Sequence, residues 1–188
     1  MADSEIVPEE TRQSRSSIPD SPRRSLRERV QRQRDQRVKL LSVPDLDGVA
    51  VLYRAINDET RQRIAKQSKR RQGGKPGVGD PVADASVLVD ACVGIFERVE
   101  GRWVSVDPDA REGAWLDVGD DGSIKVQGDP VTFASEVVQE MLGTKDRPTA
   151  ETVRELYVTD GDMMAAAAAV MEHSGYSSEM IEEDIRGN

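Results

Sequence analysis

The chain is poor in the residues that carry most enzyme chemistry. It has one cysteine, Cys92, and one histidine, His173, and aromatic residues make up only 4% of its 188 residues. A single cysteine excludes an internal disulfide framework and is typical of a reducing compartment. Because aromatics are scarce, a core must rest on Val, Leu, Ile, Ala and Met.

Long apolar runs are also missing. No stretch approaches the roughly 20 apolar residues that a membrane span needs, and the first residues contain no hydrophobic segment typical of a signal peptide. We therefore expect a soluble, intracellular protein with no membrane partner. Apolar residues make up 37% of the chain and charged residues 32%, which predicts a modest core with disordered flanks.

Charge is divided unevenly along the chain. Residues 1–75 hold 18 Lys and Arg against 11 Asp and Glu, a net of +7, whereas residues 76–188 hold 8 against 24, a net of −16. This division predicts a basic arm on an acidic body. The basic stretch from Arg23 to Lys39 can attract phosphates, but no aromatic residue for base stacking precedes Tyr53. A solvated or protein-docking arm is therefore favoured over nucleic-acid binding.

Turn and capping signals divide the chain into five segments. Ser25 and Glu28 fit a capping box, which predicts a marginal helix running to about Lys39. A Gly- and Pro-rich stretch has the composition of a linker. The predicted segments are a disordered to marginally helical basic arm, a strand with a polar helix, the linker, an acidic folded body and a C-terminal tail, at 1–41, 42–72, 73–82, 83–176 and 177–188.

The folded part combines strand and helix patterns. Residues 49–54 alternate with apolar groups on both faces, which predicts a strand. Glu100-Gly101 and Asp121-Gly122 lie between apolar alternating runs and predict two hairpins. Capping residues predict helices that begin near Asp84, Asp129, Thr149 and Asp160. We expect a mostly helical α+β fold, in which a small antiparallel hairpin sheet packs with several helices beside a disordered N-terminal arm.

Three features suggest chemistry, and each has a simpler explanation. His173 lies near a predicted helix C-terminus, where the helix dipole favours a cation, and no nucleophile motif accompanies it. Cys92 lies on the apolar face of a predicted helix as a small hydrophobe. The loop from Asp117 partly matches a calcium loop, but Gly119 and Gly128 replace two of its ligands. We expect no catalytic residue, metal ligand or cofactor.

The segment 160–173 is rich in Met and Ala. Methionine adapts to varied apolar partners, and alanine allows helices to approach closely, so a partner-binding helix is one interpretation. The other is a helix packed in the protein's own core. Residues predicted to contact a partner come from this helix and the basic arm: Met163, Met164, Val170, Met171, Arg27, Arg34 and Arg37.

The order of these elements resembles a known family. The matching stretches are Ser42 to Arg54, Asp58-Glu59-Thr60-Arg61, Leu88-Val89-Asp90-Ala91-Cys92-Val93-Gly94-Ile95-Phe96, Thr132-Phe133-Ala134-Ser135-Glu136-Val137-Val138, Asp160-Gly161-Asp162 and His173-Ser174-Gly175. Over about residues 40–176, the chain resembles the tail assembly chaperones of long-tailed (siphovirus-type) phages of actinobacteria, which are similar in role to the lambda tail chaperone. The family often has Trp-Ser where this chain has His173-Ser174.

The resemblance implies a non-enzymatic role in virion assembly. Such a chaperone binds the phage tape-measure protein in the host cytoplasm, keeps it soluble while tail tube protein assembles around it, and is not expected in the mature virion. A frameshifted longer form of the chain is a further implied partner. Two alternatives stay open: a structural virion component, such as a minor tail or connector protein, and a nucleic-acid-binding regulator that acts through the basic arm.

Overall fold

The computed structural model describes Leu26, Val30 and residues 37–71, 80–107, 113–119 and 122–176. Its strands are β1 Val38–Ser42, β2 Val49–Arg54, β3 Cys92–Val99, β4 Arg102–Ser105, β5 Trp115–Val118 and β6 Ile124–Gln127. Its longer helices are α1 Asp58–Arg71, α2 Pro81–Ala91, α3 Glu136–Met141, α4 Thr149–Tyr157 and α5 Asp160–His173. None of these helices is long and apolar enough to cross a membrane.

The six strands form one antiparallel sheet in chain order, from β1 at one edge to β6 at the other. The sheet curves into a half-barrel. Helices α1 and α2 fill the connection between β2 and β3. The β3–β4 turn places Glu100 at φ 49° and Gly101 at φ 83°, the left-handed pair that a tight hairpin turn requires. The predicted strand at 49–54 and both predicted hairpins are confirmed.

The predicted fold class is wrong, because the protein is not mostly helical. The described residues are 44% helical and 25% strand, and every strand joins the same sheet. Val38 and Lys39 were expected at the end of a helix, but they begin β1 and pair with Arg54 and Tyr53 of β2. A local pattern does not contain this partner strand, and pairing across the hairpin overrides a weak helical tendency.

The predicted segment boundaries are crossed by the observed elements. Strand β1 spans the boundary between 1–41 and 42–72, and α2 begins at Pro81, inside the predicted linker. Asp80 caps α2, since its carboxylate accepts from the backbone N–H of Val82 at 3.1 Å. The remaining linker residues, 73–79, and the tail, 177–188, lie outside the described residues.

The helices pack on one face of the sheet. Helix α2 packs against α1, α4 and α5, and its buried side chains share one core cluster with Val51, Tyr53 and Ile95 of the sheet. Ile64 of α1 and Leu88 of α2 belong to the same core cluster. The strand and helix of segment 42–72 therefore share one core with the body that follows.

A buried polar contact ties the helices to the sheet. The hydroxyl groups of Tyr53 on β2 and Tyr157 on α4 are hydrogen-bonded at 2.7 Å. Burial raises the pKa of Tyr157 to about 12 and the pKa of Tyr53 well above its usual value. Both phenols therefore stay neutral, and each satisfies the other's buried hydroxyl.

The segment after β6 returns to the sheet instead of starting a helix. Asp129-Pro130 was predicted to begin a helix, but α3 starts only at Glu136. The backbone N–H of Ile95 donates to the carbonyl of Val131 at 2.9 Å, and Val131 N–H donates to the Ser105 hydroxyl at 3.1 Å. This extended stretch runs beside the first half of β3.

A glycine allows this close approach. A Cβ atom added at Gly94 would lie 2.6 Å from the Cβ of Pro130 and 2.8 Å from Cε2 of Phe96. Both distances are far below van der Waals contact, so a side chain at this position would push the returning segment away.

We therefore predict that Gly94→Ala lowers the free energy of unfolding by about 1–3 kcal/mol, the usual cost of overpacking. Gly161→Ala is the matched control, because the nearest atom to its added Cβ is 3.8 Å away. The control should leave stability unchanged or raise it by up to about 1 kcal/mol. Urea unfolding followed by circular dichroism measures both. Equal stability of the two variants would contradict the packing of Pro130 on Gly94.

Candidate protein-binding surface

The face of the sheet opposite the helices carries a second apolar cluster. Its buried members are Leu52, Phe96 and Leu116, and the partly buried ones are Val38, Leu40, Val93, Trp103, Ile124 and Val126. We call these nine residues the strand-lined cluster. All nine lie on strands, and the described helices contribute no side chain to it.

Strand register explains why these residues meet. Leu40 pairs with Leu52, Trp103 pairs with Leu116, and Leu116 pairs with Val126. Paired residues point to the same side of a sheet, and with Val93 and Phe96 on β3 all six strands contribute to one apolar surface.

The strand-lined cluster has a buried centre of three residues and a rim of six partly buried residues. Leu52 and Phe96 are completely buried at 0% exposure, whereas six members reach the surface in part. Val118, which pairs with Ile124 on the same face, is 48% exposed. A contiguous apolar surface of this kind is typical of sites that bind other proteins.

Within the six described strands, the charged residues on this face are both arginines. Arg54 pairs with Val38, and Arg98 pairs with Trp103. The guanidinium carbon of Arg98 lies 5.9 Å from the centre of the Trp103 ring, a cation–π contact. Arg54 donates to the carbonyl of Asp90 at 3.3 Å. Both are solvent-exposed residues at the border of the cluster.

The acidic strand residues lie on the other face. Glu97 pairs with Val104, and Asp117 pairs with Lys125, one register position away from the strand-lined cluster. The chain as a whole has a net charge of −9. An acidic protein therefore presents an apolar surface that is bordered by positive charge. Such a surface suits aliphatic side chains accompanied by carboxylates.

Most of the predicted apolar contact residues are not on a surface. Met163 and Val170 are completely buried, and Met171 also belongs to the main core cluster. Met164 is 37% exposed on the outer side of α5. The burial supports the interpretation of α5 as a core helix. Of the four predicted apolar contact residues, only Met164 is exposed.

The structure describes one of the three arginines that were predicted to contact a partner. Arg37 is exposed and lies directly before Val38, next to the strand-lined cluster. Arg27 and Arg34 lie outside the described residues. Of the five predicted contact residues that the structure describes, Arg37 precedes β1, whereas Met163, Met164, Val170 and Met171 lie on α5.

Among the described residues, the buried titratable groups Cys92 and Asp84 lie outside the strand-lined cluster. Burial raises the pKa of the Cys92 thiol to about 12, and burial next to Asp80 raises the pKa of Asp84 to about 6. His173 ends α5 as predicted, and its Nε2 atom is buried with no hydrogen-bond partner. Within the described ranges, no three His, Cys, Asp or Glu side chains form a group that could hold a metal ion.

The loop considered for calcium is a hairpin turn in its described part. Gly119 N–H donates to the carbonyl of Ser123 at 2.8 Å, and Gly122 N–H donates to the carbonyl of Gly119 at 2.9 Å. Asp117 lies in β5, while Asp121 is outside the described residues. The backbone hydrogen bonds make this a connection between β5 and β6.

Comparison with models of protein families, with curated proteins and with solved structures finds no match to this chain.

The sequence contained one signal for the strand-lined cluster. Residues 49–54 are apolar on both faces, a pattern that indicates burial on both sides of a strand. The members on β1, β4 and β6 are recognised only when strand register is known, since each contributes one or two side chains.

The raised pKa of Cys92 gives a direct prediction. Because the thiolate is the reactive form, Ellman's reagent at pH 8 should modify the folded protein at least about 100-fold more slowly than the urea-unfolded protein. A Cys92→Ser, Ala168→Cys variant is the control, since Ala168 is exposed on α5 and should react rapidly in the folded state. Equally fast reaction of Cys92 in both states would contradict its burial.

Proposed function

We propose that the protein is a phage tail assembly chaperone that binds the tape-measure protein through the strand-lined cluster. The observation that carries this proposal is an apolar sheet face to which the described helices add no side chain. The resemblance to tail assembly chaperones over about residues 40–176 supplies the partner. The function needs no chemistry, only a surface that shields apolar segments of another chain.

The surface fits the partner that the resemblance implies. A long helical protein that has not yet assembled exposes apolar side chains, and a groove or curved face can cover them as an amphipathic helix lies against it. Burying aliphatic side chains is worth about 25 cal/mol per Å². The chain has a net charge of −9, and this charge opposes aggregation of the complex.

The same proposal covers location and timing. The chaperone acts in the host cytoplasm, leaves when tail tube protein surrounds the tape-measure protein, and is absent from purified virions.

Co-expression tests the proposal. The wild-type chain should raise the soluble fraction of the tape-measure protein and co-purify with it. Leu40→Asp and Ile124→Asp place a carboxylate on the strand-lined cluster near its two edges, and each should weaken binding at least about 10-fold, which corresponds to about 1.4 kcal/mol. Circular dichroism establishes that each variant is folded.

Met164→Asp is the matched control, because Met164 is exposed on α5. It should bind the tape-measure protein as the wild type does. Loss of binding in this variant alone would move the site to α5 and contradict the proposed surface. A chain that neither raises tape-measure solubility nor forms a complex, or that is stoichiometric in purified particles, would contradict the chaperone function.

A further inference from the structure

The helices leave part of their own side of the sheet uncovered. Their core cluster includes Val51 and Tyr53 of β2 and Ile95 in the first half of β3. The same face continues across the second half of β3 and onto β4, β5 and β6, where the strand residues that point to it are exposed or half-buried. Because side chains alternate between the two faces of a sheet, this continuation lies back to back with the strand-lined cluster.

An exposed tryptophan lies in the middle of this continuation. Trp115 on β5 is 46% exposed and pairs with Val104 on β4, so the two apolar side chains are neighbours on one face. Tryptophan is enriched at the centres of protein–protein interfaces, where it supplies a large and rigid apolar contact. We define the β4–β5 patch as Arg102, Val104, Trp115 and Asp117.

Charges of opposite sign complete the β4–β5 patch. Arg102 lies two residues before Val104 on β4, and Asp117 lies two residues after Trp115 on β5, so both point to the same face as the apolar pair. Both charged residues are exposed. Among the described residues, neither has a salt-bridge partner. The patch therefore offers one cation, one anion and two apolar side chains to a partner.

The β4–β5 patch is complementary to itself. A two-fold axis that lies in the interface, parallel to the strands and midway between β4 and β5, brings β4 of one copy over β5 of the other. Trp115 then faces Val104 of the second copy, because the two residues are at the same register position. One register position further along, Asp117 faces Arg102 of the second copy. Each contact occurs twice, as in an isologous dimer.

The neighbouring strands fit the same axis. It brings β3 of one copy over β6 of the other, so that Glu97 faces Gln127, and Val99 faces the aliphatic stem of Lys125. No pair sets like charges against each other. The β4–β5 patch lies nearest the axis, so the twist of the two sheets separates its pairs the least. A second copy of this chain is therefore the partner whose charges match this face.

The small area of the contact sets the strength of such a dimer. The four strands lie about 4.8 Å apart and together span about 15 Å, which is less than a standard interface of about 800 Å² per partner needs. We therefore expect a dissociation constant in the micromolar range or weaker.

We propose that the protein forms a weak two-fold dimer through the β4–β5 patch, in which Trp115 packs on Val104 and Asp117 pairs with Arg102 across the interface. The strand-lined cluster is on the other face of each sheet, so both copies of it stay accessible. The dimer does not depend on the proposed chaperone function. If that function holds, the dimer offers two binding surfaces to one long partner, which raises their effective concentration.

Sedimentation velocity of the full chain tests the dimer. The wild type should pass from monomer to dimer between about 5 µM and about 500 µM, the range that a weak interface implies. Trp115→Asp should weaken dimerisation at least about 10-fold, because it removes the central apolar contact twice. Circular dichroism establishes that the variant is folded.

Charge reversal tests the two-fold geometry. Arg102→Asp and Asp117→Arg each set like charges against each other across the axis, so each variant alone should dimerise at least about 10-fold more weakly than the wild type. An equimolar mixture of the two variants should recover dimerisation, because both contacts of the mixed dimer pair an aspartate with an arginine. Arg147→Asp is the control, since it makes the same change at an exposed arginine outside the patch and should dimerise as the wild type does.

Three results would overturn the proposal. The first is a wild type that stays monomeric over the whole concentration range, and the second is a dimer that Trp115→Asp does not weaken. The third is a mixture of folded charge-reversal variants that stays monomeric, since the two-fold axis requires its recovery. None of these results bears on tape-measure binding, which Leu40→Asp and Ile124→Asp test on the other face of the sheet.

Discussion

The two-sided burial of β2 and β3 is the constraint on which the rest of the structure depends. Val51, Tyr53 and Ile95 point to the helices, while Leu52 and Phe96 point to the opposite side. All five are almost or completely buried. A strand with apolar residues on both faces is stable only when both faces are covered. In this sheet the helices cover one face and residues of the strands themselves cover the other.

The first covering comes from helices and explains the Met/Ala composition. Small alanines let α5 approach α2, and Met163 and Val170 fill the remaining space in the core. The Tyr53–Tyr157 hydrogen bond then fixes this layer to the sheet. The second covering comes from the curvature of the sheet and from Pro130, which packs where Gly94 has no side chain. It is incomplete, and the incomplete part is the surface to which we assign binding.

Local signals predicted the elements that depend on local chemistry. Helix α5 begins and ends at the predicted residues because Thr159 caps its start and Asp160 follows, and the hairpin turns follow from their glycines. Strand β1 was missed because its pairing with β2 overrides a weak helical tendency. The extended stretch at Pro130 was missed because its partners, Gly94 and Ile95, are far away in sequence. The strand-lined cluster was missed because its members come from six strands and meet only through strand register. The methionines of α5 gave a pattern that suits a core and a partner equally well.

Hydrogen–deuterium exchange of the complex with the tape-measure protein tests the central claim most directly. If the strand-lined cluster is the binding surface, binding should protect peptides from β1, β4 and β6, whose side chains form its rim. The exposed side of α5 around Met164 should exchange as in the free protein. Protection confined to α5, with unchanged exchange in the three strands, would contradict the account.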